Sequence, residues 1–126
     1  MSELNILVVD DSPTMRRICG NTLKRAGFVN YTEATDGKDA LAKLQQEKFD
    51  LVITDVNMPV MDGITLVTAM RANDKLQKVP VLLMTTRNLL LPEECVKAMS
   101  AGANGYINKP FTPETLLAKI RLVTAK

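Results

Sequence analysis

The sequence predicts a doubly wound α/β fold: a five-stranded parallel sheet in the order 2-1-3-4-5, flanked by five helices. Three observations predict it. Short aliphatic runs recur at Leu4–Val9, Leu51–Ile53 and Val81–Met84, as in strands buried on both faces, with a weaker strand candidate at Tyr31–Ala34 and a brief one at Tyr106–Ile107. Between them lie segments whose apolar residues fall at helical spacing, giving the strand–helix alternation of a parallel sheet. Acidic residues stand where the first and third runs stop, and in this strand order those two ends lie side by side at the switch point where open α/β sheets bind ligands.

The first run ends in Asp10-Asp11, and Ser12-Pro13 follows as an N-cap with proline at the first helical position. Met15, Ile18, Cys19, Thr22, Leu23 and Ala26 form the expected inner face of that helix, and Gly27 stops it. Tyr31–Ala34 is a weaker second strand, after which Asp36-Gly37 opens a helix facing inward on Ala40, Leu41 and Leu44. The third strand delivers Asp55, and the turn through Pro59 and Asp62-Gly63 leads to a helix on Leu66, Val67 and Met70. Pro80 introduces the fourth strand, which ends at Thr85 and Thr86. Glu93–Ser100 is expected to be helical, with Cys95, Val96 and Met99 inward and Gly102 as its stop. The fifth strand runs into Lys109-Pro110, and Thr112-Pro113 caps a last helix burying Leu116, Ile120 and Val123. With right-handed crossovers this is the flavodoxin-like arrangement.

A length of 126 residues suits one domain, and 46% apolar with 24% charged residues is a globular composition. A single domain over residues 1–126 with no separate effector domain is the expectation. No apolar run approaches the roughly 20 residues of a membrane helix, and the N-terminus lacks the basic and apolar regions of a secretory signal, so a cytoplasmic location is expected. The net charge of +2 is scattered along the chain, which does not indicate nucleic acid as a partner. Cys19 and Cys95 sit at apolar helical positions and read as buried free thiols. The chain has no histidine, which excludes imidazole acid–base chemistry and leaves oxygen ligands for any metal.

Asp10, Asp11 and Asp55 should therefore converge at one end of the sheet. Taken alone, Asp55 could be an ordinary solvated turn residue. Three neighbouring carboxylates, however, repel one another by about 4 kcal/mol per pair at 4 Å for an effective dielectric of 20, and a proton, a cation or both must compensate. A hard divalent ion such as Mg²⁺ suits carboxylate and carbonyl oxygens. Lys109 brings an ammonium to the same rim, and Thr85 a hydroxyl. Carboxylate, cation and ammonium together meet the needs of phosphoryl transfer, where catalysis is largely positioning and charge neutralisation. The alternative is a set of salt bridges that only holds loops.

These residues carry a resemblance. Val9-Asp10-Asp11-Ser12, Thr14-Met15-Arg16-Arg17, Asp36-Gly37, Asp55-Val56-Asn57-Met58-Pro59, Met61-Asp62-Gly63, Ala101-Gly102-Ala103 and Lys109-Pro110-Phe111 stand in one order across nearly the whole chain. In that order and spacing the chain resembles the receiver domain of two-component response regulators, most closely the single-domain chemotaxis type. The resemblance implies Asp55 as both phosphoacceptor and Mg²⁺ ligand, with Asp11 ligating Mg²⁺ directly, Asp10 largely through water, and Asn57 through its backbone carbonyl. It also implies Lys109 as the phosphate-binding lysine, Thr85 and Tyr106 as the switch pair, and a cis peptide at Lys109-Pro110. The face of the fourth helix, fifth strand and fifth helix, with Lys119, would be read by partners. Implied partners are a histidine kinase as donor, a flagellar motor switch protein as target and a phosphatase, with the protein a monomer and a switch rather than an enzyme.

The chain departs from the chemotaxis type between Thr85 and Gly102, where it is two residues longer within Arg87–Pro92. Leu89-Leu90-Leu91 there reads either as core or as an exposed contact patch. Arg87 replaces an acidic residue, Thr86 a smaller one, and Val56 a large aromatic. Other functions compatible with the topology are a shuttle passing phosphate to another histidine domain and a flavin-binding electron carrier. The flavin reading asks for a Ser/Thr/Gly-rich loop where Asp10-Asp11 stand. An Asp-nucleophile phosphatase asks for a second Asp where Asn57 stands.

Overall fold

The computed structural model describes residues 4–56, 61–85, 99–108 and 111–124. In chain order these form β1 (Ile6–Val9), α1 (Pro13–Arg25), β2 (Tyr31–Ala34), α2 (Gly37–Gln46), β3 (Leu51–Asp55), α3 (Gly63–Arg71), β4 (Val81–Thr85), helical residues 99–101 (α4), β5 (Gly105–Asn108) and α5 (Pro113–Thr124). The five strands pair in parallel in the order β2-β1-β3-β4-β5, the predicted topology.

Strand alternation divides the core into two layers, because successive side chains leave opposite faces of the sheet. Leu7, Val9, Val52 and Leu83 pack with Ala40 and Leu44 of α2 and with Leu66, Val67 and Met70 of α3. Ile6, Val8, Ile53 and Met84 pack on the other side with Leu23 of α1 and with Leu116 and Ile120 of α5. Burying one such side chain stabilises the fold by about 1.5–3 kcal/mol, so a sheet covered on both faces is the main source of stability.

Polar residues fix where each element begins. Ser12 Oγ accepts from the Met15 N–H at 3.2 Å, Asp36 Oδ1 from the Asp39 N–H at 2.8 Å, Asp62 Oδ1 from the Thr65 N–H at 2.8 Å, and Thr112 Oγ1 from the Thr115 N–H at 3.1 Å. Each satisfies an amide that the first helical turn leaves open. Gly27 and Gly102 end α1 and α4 with φ of 100° and 113°, in the left-handed region where glycine carries no Cβ penalty.

Several expectations need correction. β1 starts at Ile6, two residues later than the apolar run suggests, because Asn5 is committed elsewhere. Its N–H donates to Asp50 Oδ2 at 2.8 Å and its side-chain amide to the Lys48 carbonyl at 2.7 Å. β3 extends past the Leu51–Ile53 run through Asp55, which stands at the carboxyl end of the strand as expected. Ile18 is 47% exposed and Met99 45%, although both have helical spacing. The face of α1 turned to the sheet is Cys19, Thr22 and Leu23. At the end of α4, Ala101 and Ala103 take the inner position. Cys19 is buried and forms no disulfide. Cys95, Val96 and the Leu89–Leu91 run lie outside the described residues.

Arg71 ties the last part of the fold together. Its guanidinium donates to the Gly102 carbonyl at 2.9 and 3.1 Å, the Leu76 carbonyl at 3.0 Å and Asn104 Oδ1 at 3.1 Å. Burial lowers the Arg71 pKa from its ordinary value. Asn104 Oδ1 also accepts from the Val81 N–H at 2.8 Å, so α3, the start of β4 and the approach to β5 share one polar junction. Among the described residues no helix is long and apolar enough to cross a membrane.

Candidate functional site

Strand register brings the acidic residues together. Val9 of β1 is paired with Thr54 of β3, so Asp10 and Asp55, one residue further along each strand, emerge side by side. Carboxylate oxygens of Asp10, Asp11 and Asp55 all lie within 4.8 Å of one another. Asp10 and Asp55 are buried, at 2% and 8% exposure, while Asp11 is open to solvent. The predicted convergence is therefore present.

Each backbone segment is held by identifiable bonds. The Asp10 N–H donates to the Ala34 carbonyl of β2 at 3.1 Å. Asp10 Oδ1 accepts from the Ser12 N–H at 2.9 Å, and its carbonyl accepts from Arg16 Nη1 at 2.6 Å. After Asp55, the Val56 N–H donates to the Met84 carbonyl at 3.0 Å, and the Val56 carbonyl accepts from the Gly63 N–H at 3.0 Å. A Cβ on Gly63 would overlap the Asp55 carbonyl oxygen and lie 3.1 Å from Val56 Cα. The start of α3 thus lies against the end of the strand that carries Asp55, and only glycine fits there.

Thr85 is buried at the end of β4, one residue beyond the Asp55–Met84 pair, and is itself paired with Asn108 of β5. Thr85 therefore belongs to the same carboxyl end of the sheet as Asp55. Tyr106 sits two residues earlier on β5, partly buried against the first core layer. The Lys119 ammonium lies 5.6 Å from the centre of its ring, within cation–π range. Between β5 and α5 is a cavity of about 290 Å³ lined by Tyr106, Asn108, Phe111, Thr115 and Lys119 among others. Asn57, Lys109, the Lys109-Pro110 bond and Arg87 lie outside the described residues.

The donors present fit a hard divalent cation. All are carboxylate oxygens, the chain has no imidazole, and the described thiol, Cys19, is in the core layer beneath α1. Oxygen-only sites select Mg²⁺-like ions over softer metals. The same crowding of negative charge disfavours a metal-free phosphate cradle after β1, as a flavin site would need.

A family model for the response regulator receiver domain matches residues 6–121. The chain belongs to the response regulator receiver family. This receiver is 45% identical to the chemotaxis protein CheY of Pseudomonas aeruginosa over 120 residues, covering 95% of each chain. Its fold matches the crystal structure of Vibrio cholerae CheY4 with a TM-score of 0.87 at 42% identity, covering 95% of this chain and 98% of that one. It also matches the receiver domain of the P. aeruginosa sensor histidine kinase PA1611 with a TM-score of 0.85 at 25% identity and 98% coverage of both. That structure has a magnesium ion coordinated in its active site cleft.

Two residues at this receiver's site were not singled out from sequence as site residues. Arg16 stood only within the Thr14–Arg17 motif, and Glu33 in an undistinguished second strand. Their contact joins a helix to an edge strand 17 residues away, and no local sequence pattern reports such a contact.

Proposed function

We propose that this receiver is a stand-alone phosphorylatable switch that takes a phosphoryl group from a kinase phosphohistidine onto Asp55. The observation that carries this reading is the buried Asp55 carboxylate at the end of β3, with carboxylates of Asp10 and Asp11 within 4.8 Å. A carboxylate oxygen of Asp55 attacks phosphorus, a P–O bond forms as the P–N bond breaks, and the departing imidazole nitrogen keeps the electron pair. The product is an acyl phosphate, which water hydrolyses to restore the carboxylate. Asp10, Asp11, Asp55 and the backbone carbonyl of Asn57 would hold Mg²⁺, which when bound neutralises charge on the phosphoryl oxygens. The Lys109 ammonium and the Thr85 hydroxyl are assigned to those oxygens as well.

Phosphorylation adds charge and acceptor oxygens at the carboxyl end of the sheet. Thr85 moves toward them, and Tyr106 turns into the space it leaves, changing the face formed by β5 and α5 that includes Lys119. A two-state rearrangement of this kind is what a partner reads. The likeness to CheY proteins supports a chemotaxis role in the cytoplasm, with a histidine kinase as donor, a flagellar motor switch protein as target and a phosphatase as a further partner. The chain catalyses only its own phosphorylation and dephosphorylation, so it is a switch rather than an enzyme with a separate substrate.

Labelling with acetyl phosphate tests the reading. The wild-type protein should gain one phosphoryl group by intact mass only when Mg²⁺ is present, and Asp55→Asn should gain none. Full labelling of Asp55→Asn at an acyl phosphate would overturn the assignment of the acceptor.

A further inference from the structure

We infer that Arg16 is a positioning residue for the divalent-cation site, acting through the peptide that joins Asp10 to Asp11. The inference rests on the metal-binding reading above. Arg16 lies on α1 and its side chain is only 13% exposed. Its Nη1 donates to the Asp10 carbonyl at 2.6 Å, while its Nε donates to Glu33 Oε1 of β2 at 2.8 Å. The guanidinium thus bridges the edge strand and the end of β1 with one planar fork, a geometry that a lysine ammonium does not reproduce.

That carbonyl belongs to the peptide unit whose other end is the Asp11 N–H. Rotation of the unit about its two flanking bonds swings the Asp11 side chain relative to Asp10. On the Asp10 side the chain is already fixed by the N–H bond to Ala34 and by the bond from Ser12 N–H to Oδ1. On the Asp11 side there is no equivalent: the residue is exposed, and among the described residues no group hydrogen-bonds its carboxylate. Arg16 therefore supplies the restraint that keeps Asp11 aimed at the cluster. Glu33 in turn keeps Arg16 in place. Outer groups that orient metal ligands typically set affinity by 10–100-fold.

Position and charge make opposite predictions here. A guanidinium beside the site repels a divalent ion, so if charge alone mattered, Arg16→Gln would bind the ion more tightly. If orientation matters, Arg16→Gln and Arg16→Lys both bind it more weakly.

The test is calorimetric titration of the unphosphorylated protein with Mg²⁺ alone, for wild type, Arg16→Lys, Arg16→Gln and Glu33→Gln. We expect Kd to rise about 10-fold in both Arg16 variants, and by less in Glu33→Gln. The Mg²⁺ concentration for half-maximal acetyl phosphate labelling should rise by the same factor, with the saturated rate changing less. A wild-type Kd in Arg16→Lys, or a tighter one in Arg16→Gln, overturns the inference. So does a melting temperature that falls while Kd stays unchanged, the signature of a merely structural tie. Should Arg16→Gln fail to fold, Arg16→Lys and Glu33→Gln still decide. No Mg²⁺ binding by the wild type would instead refute the metal-binding reading itself.

Discussion

At the scale of single residues, Gly63 shows how closely the backbone is fitted around Asp55. The two atoms nearest an added Cβ are both backbone, the Asp55 carbonyl oxygen and Val56 Cα, so neither can yield by changing rotamer. Gly63→Ala should therefore push the end of β3 out of register. The expected cost is about 1–3 kcal/mol in urea denaturation, with slower acetyl phosphate labelling because the acceptor moves. Gly27 is the useful contrast. Its φ is 100°, but nothing lies within 4 Å of an added Cβ, so Gly27→Ala should cost about 1 kcal/mol through backbone strain alone and leave labelling unchanged. Equal effects of the two substitutions on labelling would refute the role given to Gly63.

At the scale of elements, α2 carries its own polar scaffold. Asp39 accepts from the Thr35 N–H at 2.9 Å and from Lys43 Nζ at 2.9 and 3.0 Å. The backbone bond from Thr35 is the largest cause, and the Lys43 side chain the next, of an Asp39 pKa held below its ordinary 3.8. A carboxyl depressed in the folded state stabilises the fold above its unfolded pKa, and that contribution is lost as pH falls through the folded value. Wild type should thus be more stable than Asp39→Asn by less than about 1 kcal/mol near neutral pH, as suits a surface pair. The gap should close on acidification below the ordinary carboxylate pKa, measured by denaturation across that range. This scale is also where the sequence spoke most clearly. Strand runs and the caps at Ser12 and Thr112 are local signals, and both caps are made; Asp36 and Asp62, legible only as residues leading into a helix, cap theirs as well. Ile18 and Met99 were misjudged because periodicity identifies a helix face but not what covers it. The Asp10–Asp11–Asp55 cluster was legible because strand order and strand ends determine it, whereas the Arg16–Glu33 bridge depends on side-chain reach between elements. Asn57 and Lys109 rest on sequence alone.

At the scale of the whole molecule, two well-filled core layers carry a sheet that crowds negative charge at the carboxyl ends of β1 and β3. Oxygens of three carboxylates within 4.8 Å, two of those residues buried, repel one another in a medium less polarisable than water. This repulsion opposes folding, and a divalent ion binding the folded chain alone should stabilise it by mass action. At 100 times Kd the gain is about 2.7 kcal/mol, or about 10 °C in Tm for a domain of this size. Asp55→Asn separates this effect from ordinary salt screening. Removing one of the three charges relieves repulsion, so the metal-free variant should melt several degrees higher, by about 1–3 kcal/mol, while the increment from added Mg²⁺ shrinks. Thermal unfolding of both proteins with and without Mg²⁺, at matched ionic strength, measures the two shifts together. If Asp55→Asn melts below wild type without metal, the carboxylates are not under mutual strain, and the view of this end of the sheet as a site that gains from added positive charge fails.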